Sequence, residues 1–214
     1  MKHYSISNNY IRKLPIKYIT EAKMSQPYIE SKTFSRTNFT LDPLAKGEYE
    51  NCIFRDCDFS SSDLTGVFFT ECNFEGCNLS LAKISNAAFR EVKFKTCKML
   101  GLHFENCNTF LFSIDFDHCV LNLSSFYKLS LKRTKFRECS IQEVDFSETD
   151  LSGSSFDGCD LAGALFDNTN LEKTDFRTAV QYTIDPEKNR MKKARFSLAG
   201  VEGLLAKYSI QIEP

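Results

Sequence analysis

Nine cysteines, three histidines and 28 acidic side chains are the groups in this 214-residue chain with chemistry to offer. A zinc site gathers thiols around one point at spacings such as Cys-x2-Cys, a nucleophile needs an adjacent base, and acid–base work needs titratable groups converging in a pocket. The sequence shows none of these groupings. Cys57, Cys77, Cys97, Cys119, Cys139 and Cys159 recur at steps of 20 residues, one of them lengthened to 22. Cys52 and Cys72 keep the same step at an equivalent position, and Cys107 stands apart. That spacing strings thiols along an axis, which suits buried free cysteines acting as small apolar side chains. His103 and His118 flank a break in the rhythm, where two exposed histidines at a turn are the simpler reading than a joint site. Asp58, Asp63, Asp115, Asp145, Asp150, Asp160 and Asp175 fall at one phase of the repeat, and turn hydrogen bonds account for them better than paired-carboxylate chemistry. There is no phosphate-cradling glycine loop or nucleotide motif. The expectation is therefore a protein that is not an enzyme, with no catalytic residue, metal or cofactor.

The element that positions these groups has a period of five. Large apolar residues recur at every fifth position from Phe34 to Phe104, slip by two residues across 105–110, and resume from Leu111 to Phe176, giving 29 units. Around each centre the residues also repeat, as in Thr149-Asp150-Leu151-Ser152-Gly153 and Cys159-Asp160-Leu161-Ala162-Gly163. A helix repeats at 3.6 and a strand at 2, so each unit must be a short extended side followed by a corner, with one large and one small side chain inward.

On these residues the chain resembles the pentapeptide-repeat family over about 34–178. The resemblance implies an all-β fold, a right-handed quadrilateral β-helix with four units per coil, here about seven to eight coils closed by a short C-terminal capping helix. Residues 20 apart should then stack. Phe54, Phe74, Phe94, Phe116, Phe136, Phe156 and Phe176 do form one column, which Phe34 and Phe196 extend at either end. At about 4.8 Å per coil its eight steps give a rod of roughly 38 Å. The next residue outward reads Arg55, Glu75, Lys95, Asp117, Arg137, Asp157, Arg177, alternating in sign, which predicts a stabilising charge network.

Three segments follow: an N-terminal extension or cap over 1–30, the solenoid over 31–196, and a C-terminal cap over 197–214. In the last, Ser197 should cap a helix reaching about Tyr208, with Leu198, Val201, Leu204, Leu205 and Tyr208 as an apolar stripe that seals the end or meets a second copy. Ile210 and Ile212 could add a short strand. Gln181 and Pro186 occupy centre positions where the repeat decays. No apolar run is long enough to span a bilayer, and the first 30 residues lack a signal peptide's apolar stretch, so a cytoplasmic protein without membrane contact is expected.

Two functional classes remain. The first is an interaction or scaffold module for an unidentified protein partner. The second follows from resemblance to the quinolone-resistance (Qnr) branch, whose rods mimic DNA and bind DNA gyrase or topoisomerase IV; direct nucleic-acid binding is not expected in either. Duplex DNA carries one negative charge per about 1.7 Å, so a rod of this length would copy roughly 20 charges. Residues 48–178 hold 13 basic side chains against 21 acidic ones, a net of −8. The candidate acidic face is Glu138, Glu143, Asp145, Glu148, Asp150, Asp160 and Asp167.

Overall fold

The computed structural model describes residues 27–211 and 213, and in it the five-residue units wind into a four-sided parallel β-solenoid. The fourth side of each coil opens the molecule: Tyr28–Glu30 (β1) pairs with Glu48–Glu50 (β3), then Phe68–Thr70 (β5) and Ala88–Arg90 (β7). Bridges carry this side on to Asn108 and, in a second series, from Ser130 through Asp150 and Asn170 to Arg190. The first side is a seven-stranded sheet of Thr33–Ser35 (β2), Ile53–Arg55 (β4), Asn73–Glu75 (β6), Val92–Lys95 (β8), Ile114–Asp117 (β9), Lys135–Arg137 (β10) and Ser155–Asp157 (β11). Bridges through Asp175 and Arg195 lengthen it. The second side is the bridge series from Asn38 through Asp58 and Asn78 to Asp160 and Val180, and the third includes Asp63–Lys83 and His103–Ser125–Asp145–Leu165.

One unit shows why five residues suffice. Asp58 N donates to Thr37 O in the coil below, while Phe59 N and Ser61 N donate to Asn78 O and Ser80 O in the coil above. Ser62 N closes the corner on Phe59 O, and Ser60 N donates to the Asp58 carboxylate at 2.9 Å. All five amides are thus satisfied, which a buried backbone requires. The corner residue sits in the left-handed region even when it is not glycine, as at Ser61, Glu71 and Leu81 with φ of 54°, 53° and 58°. That conformation costs about 1–2 kcal/mol per residue, offset by the inter-coil bond its own amide makes.

Large and small side chains alternate inward. The phenylalanine column stacks nearly parallel, for example Phe54 on Phe74 at 4.6 Å and Phe136 on Phe156 at 4.8 Å between centroids. A second column, Phe104, Phe126, Phe146 and Phe166, stacks beside it on the third side and meets it edge to face, as Phe136 meets Phe146 at 6.0 Å and 83°.

Two expectations are corrected. The extra residues lie after Asn108, not across 105–110: Asn108 still bridges Ala88 at a step of 20, whereas Ile114 pairs with Val92 at a step of 22. Thr109–Leu111 bulge outward, leaving Leu111 65% exposed instead of central, while Phe112 turns in against Phe89 and Phe104. Cys107 is accordingly a regular inward residue, buried like the other thiols. Beyond Phe176 the core is continued by Tyr182 and Ile184, both buried; Gln181 and Pro186 are exposed.

The C-terminal segment is not one helix. It is a 3-10 turn at Leu198–Gly200, a single α-turn at Glu202–Leu205 (α1) and a second 3-10 turn at Ala206–Tyr208. Ser197 does cap it, its hydroxyl accepting from Gly200 N at 3.1 Å. Gly200 and Gly203 disfavour a continuous helix, and both are required because a Cβ at either would overlap Tyr182. The segment is therefore pressed flat on the last coil, with Ile184 N donating to Gly203 O. Ile210 is exposed and outside any strand, and Ile212 lies outside the described residues. The N-terminal extension lies outside them as far as residue 26.

Candidate interaction surfaces

With the interior filled, chemistry can only be sought on the outer faces and at the ends. The cysteines are accounted for by the corners. Cys77 Sγ donates to Phe54 O at 3.3 Å, Cys97 Sγ to Phe74 O at 3.4 Å and Cys107 Sγ to Ile84 O at 3.4 Å, each reaching back 23 residues. Thr149 and Ser154 make the same contact with hydroxyls, to Phe126 O at 2.7 Å and Leu131 O at 2.6 Å. Buried Asn189 makes it with its amide, to Phe166 O at 2.9 Å. Where the inward small position carries a polar side chain it is therefore a compact donor that satisfies a carbonyl, with Cys, Ser, Thr and Asn as interchangeable answers, while Val67, Ala87, Val144 and Ala164 fill the same position by packing alone. Burial pushes the Cys72 thiol up to about 12 and raises Cys107 as well, which keeps both as thiols.

The repeated aspartates close turns. Asp63, Asp145, Asp150, Asp160 and Asp175 each accept from the amide two residues on. The histidines do not meet: His103 lies on the third side beside Glu105, and His118 sits at a corner beside Asp117, each pair at 2.9 Å. Among the described residues no group of three His, Cys, Asp or Glu side chains is placed to hold a metal ion.

The seven candidate acidic residues wrap around the rod. Asp160 is on the second side, Asp145 and Asp167 on the third and Asp150 on the fourth, with Glu138, Glu143 and Glu148 at three successive corners. Several are engaged within the chain: Lys128 with Glu148 at 3.4 Å, Lys132 with Asp150 at 3.3 Å, Lys188 with Asp167 at 3.8 Å and Gln142 with Asp160 at 2.6 Å. The alternating charge row is in register, but among the described residues only Arg55 and Glu75 close an ion pair along it, at 2.9 Å. Arg177 instead grips Asp175 at 2.9 Å, and Asp157 accepts from Thr178 at 2.8 Å, so the expected network divides into local contacts.

At the C-terminal end, Leu204 packs on the core, Val201 and Leu205 are half-buried, and Leu198 is 92% exposed, with Tyr208 also outward. The stripe is thus split between sealing the coil and facing solvent. Lys207 latches the segment down, reaching Asp185 and Glu187 at 2.7 Å each, and the Tyr208 hydroxyl donates to Glu187 at 3.1 Å.

The repeat region matches the family described as pentapeptide repeat region over residues 67–144 and 109–180, together more than half of the chain. The chain belongs to the pentapeptide-repeat family. A solved structure of a trypsin-treated variant of QnrB1, a plasmid-mediated fluoroquinolone resistance protein, is similar to this pentapeptide-repeat protein with a TM-score of 0.57 and 18% identity, covering 89% of this chain and all of that one. HetL, a pentapeptide repeat protein involved in heterocyst differentiation regulation from the cyanobacterium Nostoc sp. strain PCC 7120, has a TM-score of 0.37 at 12% identity, covering 82% of this chain and 89% of its own. No curated protein matches. At such identities the likeness to the solved structures shows the fold alone. Among the described residues no helix is long and apolar enough to cross a membrane.

Missed in the sequence were the exposed bulge and what it rests on. Arg90 lies over the Phe68 ring at 5.7 Å and over the Phe110 ring at 5.5 Å. The available signal was Cys107-Asn108-Thr109, a unit of normal phase whose centre is polar and so cannot be drawn inward.

Proposed function

We propose that this pentapeptide-repeat protein is a non-enzymatic, cytoplasmic scaffold that binds a protein partner through its outer surfaces. One observation carries the reading: the side chains with reactive potential are already committed to the fold, thiols to corner carbonyls and aspartates to turn amides. What is left for recognition is exposed, flat and built on a rigid backbone. A second copy meeting the exposed Leu198 side of the C-terminal segment belongs to this reading, and Leu198→Ser would abolish such a contact. Affinity capture with the full chain, followed by titration of the captured protein against the purified pair, tests the scaffold role; turnover of a captured small molecule would sink it.

The second reading, a DNA mimic that binds gyrase or topoisomerase IV and protects against quinolones, is favoured by the overlap with QnrB1 along the whole of that chain. The dispersal of the acidic residues over three sides weighs against it. A gyrase supercoiling assay with and without ciprofloxacin decides. Inhibition or protection at micromolar protein, lost on reversing Glu138, Glu143, Glu148 and Asp150 together, supports the mimic; no effect leaves the scaffold.

A further inference from the structure

The fourth side of the solenoid has an order that neither reading uses. Its outward positions, coil by coil, are Glu48, Phe68, Ala88, Asn108, Ser130, Asp150, Asn170 and Arg190, and the neighbouring row is Glu50, Thr70, Arg90, the bulge, Lys132, Ser152, Glu172 and Lys192. The corner beside it runs Asn51, Glu71, Glu91, Ser113, Arg133, Gly153, Lys173, Lys193. Net acid thus occupies one end and net base the other, where Lys132 and Arg190 also hold Asp150 and Glu172 of their own chain. Midway between them stand Phe110 and Leu111, 66% and 65% exposed, with Phe110 stacked on Arg90. Glu48, Glu71, Lys173 and Lys192 form no ion pair among the described residues, so these charges are available to a partner.

A surface with opposite charge at its ends and an apolar patch at its midpoint is complementary to itself turned end for end, which is the condition for an isologous contact. We propose that the fourth side is a self-association surface, on which two copies pack antiparallel about a two-fold axis that runs parallel to the strands, across the rod beside the bulge. Counting coils inward from each end, Glu48 then faces the other copy's Arg190, Glu50 faces Lys192, and Glu71 faces Lys173. The two bulges lie side by side at the centre, each against Lys132 of the opposite copy, whose aliphatic stem can cover the Phe110 ring. A protein partner of one sign would not use both ends of this face.

The area sets the strength. Eight coils at about 4.8 Å by roughly three extended residues at about 3.3 Å give a face near 38 by 10 Å. That is about half of the roughly 800 Å² per partner of a stable interface. The dimer is therefore weak, formed at micromolar concentration and sensitive to salt, since the charges at its ends are exposed and screened.

Sedimentation velocity of the full chain from 1 to 100 μM, at about 50 and 500 mM salt, reads this directly. The expected result is a dimer that grows with concentration at low salt and weakens at least tenfold at high salt. Phe110→Ser with Leu111→Ser, both exposed in the wild type and so harmless to the fold, should give a monomer. Glu71→Lys and Lys173→Glu should each weaken the dimer at least tenfold, while Glu71→Lys with Lys173→Glu in one chain should restore it, because the axis pairs residue 71 of one copy with 173 of the other. A chain monomeric at 100 μM in low salt overturns the proposal. So does a dimer lost with Leu198→Ser but indifferent to the bulge and to both charge reversals, which would place the contact at the C-terminal segment.

Discussion

At the scale of single residues, the inward small position accepts either a small apolar side chain, as at Ala87 and Val144, or a compact hydrogen-bond donor, as at Cys97 and Thr149. All nine thiols are buried, and burial holds Cys72 and Cys107 well above the ordinary thiol range. Labelling with iodoacetamide at pH 8 should therefore follow global unfolding; a thiol that labels at the native rate of an exposed cysteine would contradict this account. The carboxylates make a different prediction. Hydrogen bonds from Arg177, with Arg195 close by at 2.8 Å, hold the Asp175 carboxyl below its usual range. Its unfolded value is about 3.9, so its contribution is complete at neutral pH and is lost as pH falls through the lower folded value. Asp175→Asn keeps the turn-closing oxygen but not the charge. Because both arginines are more than half exposed, the cost at pH 7 should be about 0.5–1 kcal/mol. Urea denaturation across pH should show that difference vanishing as pH falls below the lowered folded value; a difference that persists once the carboxyl is protonated would mean the loss is steric.

At the scale of elements, the C-terminal segment holds by close approach and a latch. Gly203→Ala would drive a methyl group into Tyr182, an overpacking that costs about 1–3 kcal/mol. Lys207→Met would release Asp185 and Glu187. Both variants should make the segment after Phe196 an early site of proteolysis while the solenoid stays resistant, and equal resistance of wild type and variants would show that the segment is not a cap. This element also marks where the sequence stopped being legible. Every inward centre from Phe116 to Phe176 could be read from the period, because each five-residue unit repeats one set of hydrogen bonds. Gly200 and Gly203, by contrast, read as ordinary weak points of a helix, and only the position of Tyr182 beneath them makes them necessary. The bulge after Asn108 was misplaced for a related reason: a two-residue insertion leaves both flanking registers intact, and only the inter-coil pairing decides which side of Cys107 it falls on.

At the scale of the whole molecule, each coil touches only its neighbours, so stability should depend on position along the rod. Phe136 is fully buried and lies midway, stacked on Phe116 at 5.3 Å and Phe156 at 4.8 Å and meeting Phe126 and Phe146 edge to face. Phe196 is half-buried at the end and among the described residues stacks on Phe176 alone, with Tyr182 beside it. Truncating a buried phenylalanine costs about 3–5 kcal/mol through lost transfer energy and the cavity left behind. Phe136→Ala should therefore cost that much, and Phe196→Ala markedly less because water already reaches the ring. A central defect also breaks the ladder into two shorter stacks, each still carrying its own coils. Urea unfolding of Phe136→Ala should then show a shallower transition than the wild type, with tyrosine fluorescence and circular dichroism no longer coincident, since circular dichroism reports every coil while fluorescence weights the positions of the eight tyrosines. Phe196→Ala should keep the two probes together and only move the midpoint. Equal losses at the two positions would mean that the coils unfold as one indivisible block and that position along the axis carries no weight.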